Sequence, residues 1–405
     1  MTTKSKLSYY LRLLGPAFIA AVAYVDPGNF AANFSAGAKY GYMLVWVLVL
    51  ANIMAALVQY LSAKVGLVTG QSLPEVVGTR LSKWPRIAYW AQAELVAIAC
   101  DIAEIIGGAV ALNILFGVPL VAGGLLTGVV SMVLLVIYRS RETRYFERLI
   151  MLLLCIIPIG FFMGLFMRPP EPSELASGLI PRFDGKESVL LATAMLGATI
   201  MPHVVYLHSA LARDRHGKVQ PTLLKKYLRA TRFDVGFAML FAGSVNISMI
   251  ILAASALRGV DGADTLDGVY AGLTQSISPM VGTFFAIGLL ISGFISTSIG
   301  SQAGAVIMDG LLKRRIPLVV RRLITLAPAL IILVLGVDPT RALIISQIGL
   351  SFGVPFALIP LARITSNRLI MGSAVNSRLV TAIIYSIAGL VSMLNLVLII
   401  LTVAG

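Results

Sequence analysis

Two short stretches place reactive side chains and helix-breaking residues inside otherwise apolar segments. The first is Asp26-Pro27-Gly28-Asn29, between Phe18-Ile19-Ala20-Ala21-Val22-Ala23-Tyr24-Val25 and Phe30-Ala31-Ala32. An ionised Asp at the centre of a membrane helix costs about 2.5–3.5 kcal/mol on insertion scales, so it needs a compensating role. Pro27 removes a backbone donor and Gly28 tolerates any backbone angle, so the helix is expected to break there. Broken backbone at membrane depth survives only where it is buried or lines a cavity, and its freed carbonyls then become ligands. The plainer reading is a kinked helix whose Asp is only a cap. The second stretch, Gly197-Ala198-Thr199-Ile200-Met201-Pro202-His203 through Leu207-His208-Ser209, again sets a Pro mid-segment, with small residues before it and ionisable ones after it.

Taken together, the candidates for one central site are the Asp26 carboxylate, the Asn29 amide oxygen, the Met201 thioether and carbonyls freed near Ala23 and Ala198. Oxygen ligands alone suit Mg²⁺ or Ca²⁺, which gain little from a soft thioether. One carboxylate, one amide, carbonyls and a thioether suit a partly dehydrated, borderline-soft ion such as Mn²⁺, Fe²⁺ or Cd²⁺. Packing is the ordinary role of a Met and remains the alternative for Met201. Glu94, Asp101 and Glu104 fall on one helical face, since 3.6 residues make a turn. Such a stripe turns away from lipid, and Asp101 and Glu104 read as a proton path, with a buried structural network as the alternative, above all for Glu94. His203 and His208 read as protonation sites rather than satisfied structural histidines. Thr199, at the second break, and Asn246 are gate candidates; Asn246 serves equally well as a bridge between helices. Gln347 adds an amide at membrane depth, next to Gly353-Val354-Pro355.

The elements that must position these residues are membrane helices. The 405-residue chain is 58% hydrophobic and 12% charged, with a mean hydropathy of +0.92. Its apolar runs are too long for buried core helices of a soluble domain. Spans are expected at 13–36, 41–66, 87–114, 119–138, 149–167, 188–211, 234–257, 279–309, 316–337, 342–362 and 380–403. Of the 32 Lys and Arg, 26 fall on the N-terminus or the even-numbered connections and 6 on the opposite side. The positive-inside rule then gives a cytoplasmic N-terminus and an external C-terminus. The net charge of +14 is thereby topology rather than a sign of a nucleic-acid partner. Cys100 and Cys155 both lie in apolar segments and imply no disulfide framework. The N-terminus lacks a signal-peptide cleavage pattern, so the first helix is expected to direct insertion. The Pro-rich connection from Arg168 to Glu187 is expected to be a stiff loop dividing two five-helix halves, spans 1–5 (13–167) and spans 6–10 (188–362), with 380–403 as an extra span. Interrupted segments at the first position of each half point to an inverted-repeat transporter with a midplane site.

With these motifs the sequence resembles the Nramp family of proton-coupled divalent metal transporters, in particular its bacterial manganese transporters. The resemblance rests on Asp26-Pro27-Gly28-Asn29, on Gly197 to His203 with Leu207-His208-Ser209, and on Asp101-Ile102-Ala103-Glu104. It extends to Arg321-Arg322 and to Ser346-Gln347 through Phe352-Gly353-Val354-Pro355-Phe356, and so covers essentially the whole chain. It implies an all-α polytopic fold like that of the amino-acid transporter LeuT, with two inverted five-helix repeats and spans 1 and 6 unwound at the centre. It also implies Asp26, Asn29 and Met201 as side-chain ligands, Ala23 and Ala198 as carbonyl ligands, and Gln347 as a ligand or gate. His203, Asp101, Glu104 and Arg322 resemble the family's proton-handling network, with Arg232 and His208 as further members. Related magnesium carriers lack the thioether, so Met201 favours transition metals.

The expected activity is import of Mn²⁺ or Fe²⁺, with Cd²⁺ and Co²⁺ also accepted, together with H⁺ by alternating access. The expected place is the cell membrane, and no enzyme activity, resident cofactor, nucleic-acid partner or obligatory protein partner is expected. The alternative is a carrier of amino acids or another organic solute on the same fold, in which Asp26 would pair with an amine and Met201 would line an apolar pocket.

Overall fold

A proline is tolerated in the first turn of a helix, where its missing N–H has no partner to lose. Pro27 and Pro202 therefore each let one helix end and another begin. The computed structural model describes residues 15–139, 143–314 and 316–403. Its first broken segment is α1 (Pro16–Ala23) followed by α2 (Pro27–Tyr40). Next come α3 (Val45–Thr69), a short α4 (Leu73–Gly78), α5 (Lys83–Phe116), α6 (Leu120–Arg139), α7 (Thr143–Met167) and a short α8 (Pro172–Ser177). The second broken segment is α9 (Gly185–Thr199) with α10 (Pro202–His216). It is followed by α11 (Pro221–Ala256), α12 (Leu266–Ser276), α13 (Pro279–Leu312), α14 (Leu318–Val334), α15 (Pro339–Thr365), the one-turn α16 (Arg368–Met371) and α17 (Arg378–Val403). The described residues contain no strand.

Every span drawn from the sequence falls on one of these helices or on a broken pair. Among the described residues, seven helical stretches are long and apolar enough to cross a membrane by length and composition. The connections are more ordered than the sequence suggests. The expected stiff loop holds α8, because Pro172 sits at the first helical position. The connections after α3 and α11 hold α4 and α12, helices not anticipated from the sequence. Of the basic residues from which the topology is expected, Lys4, Lys6, Arg12, Arg141 and Arg315 lie outside the described residues.

The long α5 and α13 pack along much of their length and form the spine of the molecule. A Cβ added to Gly293 would lie 3.0 Å from the Gly108 backbone nitrogen, so the two backbones nearly touch. This is the packing that small residues permit between membrane helices. The broken helices lie crosswise, α1 on α10 and α2 on α9, so the two segments run antiparallel with their breaks side by side. The long α11 and α13 hold the first break open. Asn246 Nδ2 donates to the Tyr24 carbonyl at 2.7 Å, and Ser292 Oγ donates to the Val25 carbonyl at 2.6 Å. At the other end of α1, Asp234 of α11 accepts from the Gly15 and Ala17 amides at 3.2 Å each, capping orphan donors from outside the helix. Asn246 also accepts from Asn33 Nδ2 at 3.1 Å. Replacing it with Leu strands two buried polar groups, so Asn246→Leu is expected to cost about 1–3 kcal/mol. A lower melting temperature of the purified protein in detergent, against an unchanged Ser244→Ala control, checks this.

Candidate metal and proton sites

Each break follows from one missing donor. A helical carbonyl accepts from the N–H four residues on, and proline has none. Pro27 therefore leaves the Ala23 carbonyl without its helical donor, and Pro202 does the same for Ala198. The Ala198 oxygen is taken instead by Asn29 Nδ2 at 3.1 Å. That same nitrogen donates to Asp26 Oδ1 at 2.6 Å, so one amide ties the carboxylate of the first break to the carbonyl of the second. Asp26 is also the N-cap of α2, accepting the Asn29 backbone N–H at 2.9 Å. Gln347 Nε2 reaches Asp26 Oδ2 at 3.2 Å from α15.

Two glycines let Gln347 in. A Cβ on Gly28 would fall 1.8 Å from Gln347 Nε2, and one on Gly197 would fall 2.1 Å from the Gln347 carbonyl oxygen. Met201 caps the start of α10 in the same break, and its side chain is fully buried. Asn29 Oδ1 and Gln347 Oε1 are buried with no hydrogen-bond partner among the described residues, so two amide oxygens remain available beside the carboxylate. Beyond Asn29, Phe30 and Phe34 of α2 pack against Phe161 and Phe285, with ring centroids 5.0–5.8 Å apart. No cluster of three His, Cys, Asp or Glu suited to a metal occurs among the described residues. The groups gathered at the two breaks are one carboxylate, two amides and freed backbone carbonyls, with Met201 at the second break.

The acidic stripe of α5 leads away from this point. A Cβ on Gly107 would lie 2.1 Å from Pro27 Cβ, so α5 touches the first break one turn beyond Glu104. Glu104 Oε1 accepts only from the Cys100 thiol, at 3.4 Å, and Oε2 has no partner among the described residues. Asp101 pairs with Arg322 of α14 at 2.8 Å, and Arg322 also donates to Ser131 at 3.0 Å. Glu94 pairs with Arg321 at 2.7 Å. A Cβ on Gly300 would lie 3.0 Å from Glu104 Oε1 and 3.4 Å from Asp101 Oδ1, so the two carboxylates converge on one glycine of α13. Arg321 lines a cavity of about 480 Å³ shared with Glu75, Arg213, Asp214 and Asp309. The stripe thus runs from the break, through a buried ion pair and a second ion pair, to an aqueous-sized recess.

The other sequence candidates separate. His203 is buried in the first turn of α10, and neither ring nitrogen has a partner among the described residues. His208 is bonded at Nδ1 to Gln59 Oε1 at 2.7 Å, and Gln59 in turn donates to the Tyr24 hydroxyl at the first break. Thr199 Oγ1 donates back to the Met195 carbonyl at 2.7 Å, within its own helix. Asn246 is placed as a bridge between α11 and the broken backbone. Arg232 is not brought to the acids of α5. It projects from α11 over the Tyr60 ring, 5.4 Å from its centroid, on the side of α3. Gln59, Tyr24, Ser131 and Ser292 are partners that the sequence reading missed. A lone Gln in the apolar run of span 2 was the signal for Gln59; the others are ordinary residues for helix packing.

The arrangement can hold one dehydrated cation between two helix breaks and can pass a proton along a separate row of carboxylates. A family model described as natural resistance-associated macrophage protein-like (Nramp) matches residues 17–401. A divalent metal cation transporter, MntH, of Mycobacterium tuberculosis is 55% identical over 404 residues, covering 100% of this chain and 94% of that protein. The solved structure of a manganese transporter from Eremococcus coleocola, in complex with an aromatic bis-isothiourea compound, superposes with a TM-score of 0.87 at 29% identity, covering 98% of this chain and 88% of that one. MhsT in complex with L-phenylalanine aligns at 14% identity with a TM-score of 0.63 over 95% of this chain and 98% of that one, which shows the shared LeuT-like fold alone. The all-helical architecture, the two proline breaks and the family match over nearly the full length agree: the chain belongs to the Nramp family of membrane transporters.

Proposed function

We propose that this chain imports divalent transition metals, Mn²⁺ and Fe²⁺ with Cd²⁺ and Co²⁺ accepted, together with protons by alternating access. The observation that carries this reading is the Asn29 amide nitrogen bridging Asp26 Oδ1 and the Ala198 carbonyl, because two acceptors so held are the pair a cation would bridge. Asp26, Asn29, Met201 and the Ala23 and Ala198 carbonyls are the ligand set, with Gln347 closing the site from α15. A single carboxylate keeps binding reversible, as transport requires. Metal approach favours ionised Asp26, and the displaced proton passes to Glu104 and Asp101, whose Arg322 partner stabilises a carboxylate. His203 is a second proton acceptor beside the site, with His208 linked to Tyr24 through Gln59. Thr199 stands at the second break as a gate position, and Asn246 at the first as the bridge that holds its shape.

The antiparallel pairing of the broken helices supports two inverted repeats, 13–167 and 188–362, with 380–403 added outside them. The distribution of Lys and Arg supports a cytoplasmic N-terminus and an external C-terminus in the cell membrane. The inside-negative potential then assists inward movement by about 2.3 kcal/mol per charge per 100 mV. No resident cofactor, nucleic acid or obligatory protein partner enters this scheme.

Uptake of Mn²⁺ and Cd²⁺ into proteoliposomes loaded with a pH-sensitive dye is the direct test. The intact chain is expected to take up both ions with internal acidification, and Asp26→Asn to lose both. Amino-acid uptake without metal uptake would overturn the proposal in favour of an organic-solute carrier. A thioether contributes more to a soft ion than to a hard one. Met201→Ala is therefore expected to weaken Cd²⁺ binding by calorimetry on the order of tenfold, a loss of about 1.4 kcal/mol, with a smaller change for Mn²⁺. Glu104→Gln removes an acceptor without removing a ligand. It should leave metal binding in place while reducing acidification per metal transported; unchanged acidification would remove Glu104 from the path.

A further inference from the structure

A second cavity of about 480 Å³ lies away from the transport site, between α3, α11 and the segment that enters α17. Lys64, Arg232, Tyr60 and Asn376 supply its polar wall, Leu57 and Val380 part of its apolar one, and no carboxylate lines it. Lys64 is nearly buried, and its ammonium donates to Asn376 Oδ1 at 2.7 Å. Asn376 is fixed in turn by bonds to the Thr365 carbonyl at 2.9 Å and the Thr365 hydroxyl at 2.8 Å. An ammonium carries three donors, and the amide oxygen takes one. The Arg232 guanidinium lies over the Tyr60 ring, and its side chain is exposed at the mouth of the cavity. Two cations facing one cavity repel each other and lack a countercharge there, and a buried charge needs a partner. Lys64 stands five residues before the end of α3, about 7–8 Å along the axis, and so lies near one end of that apolar helix.

We propose that this groove binds an anionic phospholipid, with the phosphate between Lys64 and Arg232 and an acyl chain along Leu57 and Val380. Charge complementarity and the apolar wall together select a lipid over a free ion: a phosphate alone leaves the apolar surface uncovered. Basic pockets between membrane helices on the cytoplasmic side bind acidic headgroups by the same chemistry.

The test is native mass spectrometry of the full-length protein extracted from bilayers of equal phosphatidylglycerol and phosphatidylcholine. Wild type is expected to retain phosphatidylglycerol preferentially. Arg232→Gln is expected to reduce that preference about fivefold, the effect of one basic residue at a membrane surface, and Arg232→Lys to restore it. Lys64→Gln should act in the same direction; Arg232 is exposed, so its variants remain informative if Lys64→Gln fails to fold. Equal retention of the two lipids, or an unchanged preference in Arg232→Gln, would overturn the assignment. A separate thermal-unfolding arm adds inorganic phosphate alone: stabilisation equal to that by phosphatidylglycerol would replace the lipid by a free anion and likewise overturn it.

Discussion

The structure depends on two hydrogen bonds that proline forbids. With no N–H at positions 27 and 202, the carbonyls of Ala23 and Ala198 cannot close their helical turns, and both are held at the centre of the molecule. An unpaired carbonyl in an apolar interior costs several kcal/mol, so the rest of the fold must supply what the backbone lacks. It does so unequally. The Tyr24 and Val25 carbonyls receive permanent donors from Asn246 and Ser292, on two long helices. Ala198 receives only the Asn29 amide, a rotatable side chain shared with Asp26. Fixed donors hold the shape of the break, and an exchangeable one marks where a cation can take over.

Separation of the proposed metal and proton roles has a similarly simple origin. A metal ligand must meet its ion directly, whereas a proton acceptor need only lie one transfer away. Asp26 sits on the unwound segment, and Asp101 and Glu104 sit on an unbroken helix that touches that segment at Gly107. The ion pairs on α5 are graded: Glu94–Arg321 borders the recess, Asp101–Arg322 is fully buried, and Glu104 forms no ion pair among the described residues. Breaking a buried pair costs about 3–5 kcal/mol, so Arg322 is a fixed element of the row rather than a mobile one.

Much of this was legible in the sequence, and the physical reason is that local chemistry marks it. Pro27 and Pro202 in apolar runs announce broken helices, and Glu94, Asp101 and Glu104 announce one face by their spacing alone. Contacts between distant segments leave no such mark. Asp234 capping α1, Gln59 joining His208 to Tyr24, and Asn395 meeting Ser351 each pair a polar residue of a long helix with partners 35 to 219 positions away. Arg232 shows the limit of resemblance without coordinates: its place on α11 turns it toward Tyr60 and Lys64 and away from α5. Short helices such as α4, α8 and α12 escape detection because they follow from a proline or cap at one position rather than from periodicity over many.

The two ends of α1 are anchored by different partners of different strength. Its eight residues are tied near the break by Asn246 and Ser292 and at the far end by Asp234, with apolar contacts between. The ties near the break come from α11 and α13, which are continuous helices of 36 and 34 residues packed on several neighbours, and they define a pivot. The far tie is a pair of amide bonds to one carboxylate, each worth about 1.5–3 kcal/mol as a hydrogen bond to a charged group. Asp234 thus holds the far end of α1 independently of the donors that fix the Tyr24 and Val25 carbonyls. An arm of eight residues spans about 12 Å, so loss of the Asp234 tie acts one helix length away from the break rather than on the carbonyls themselves.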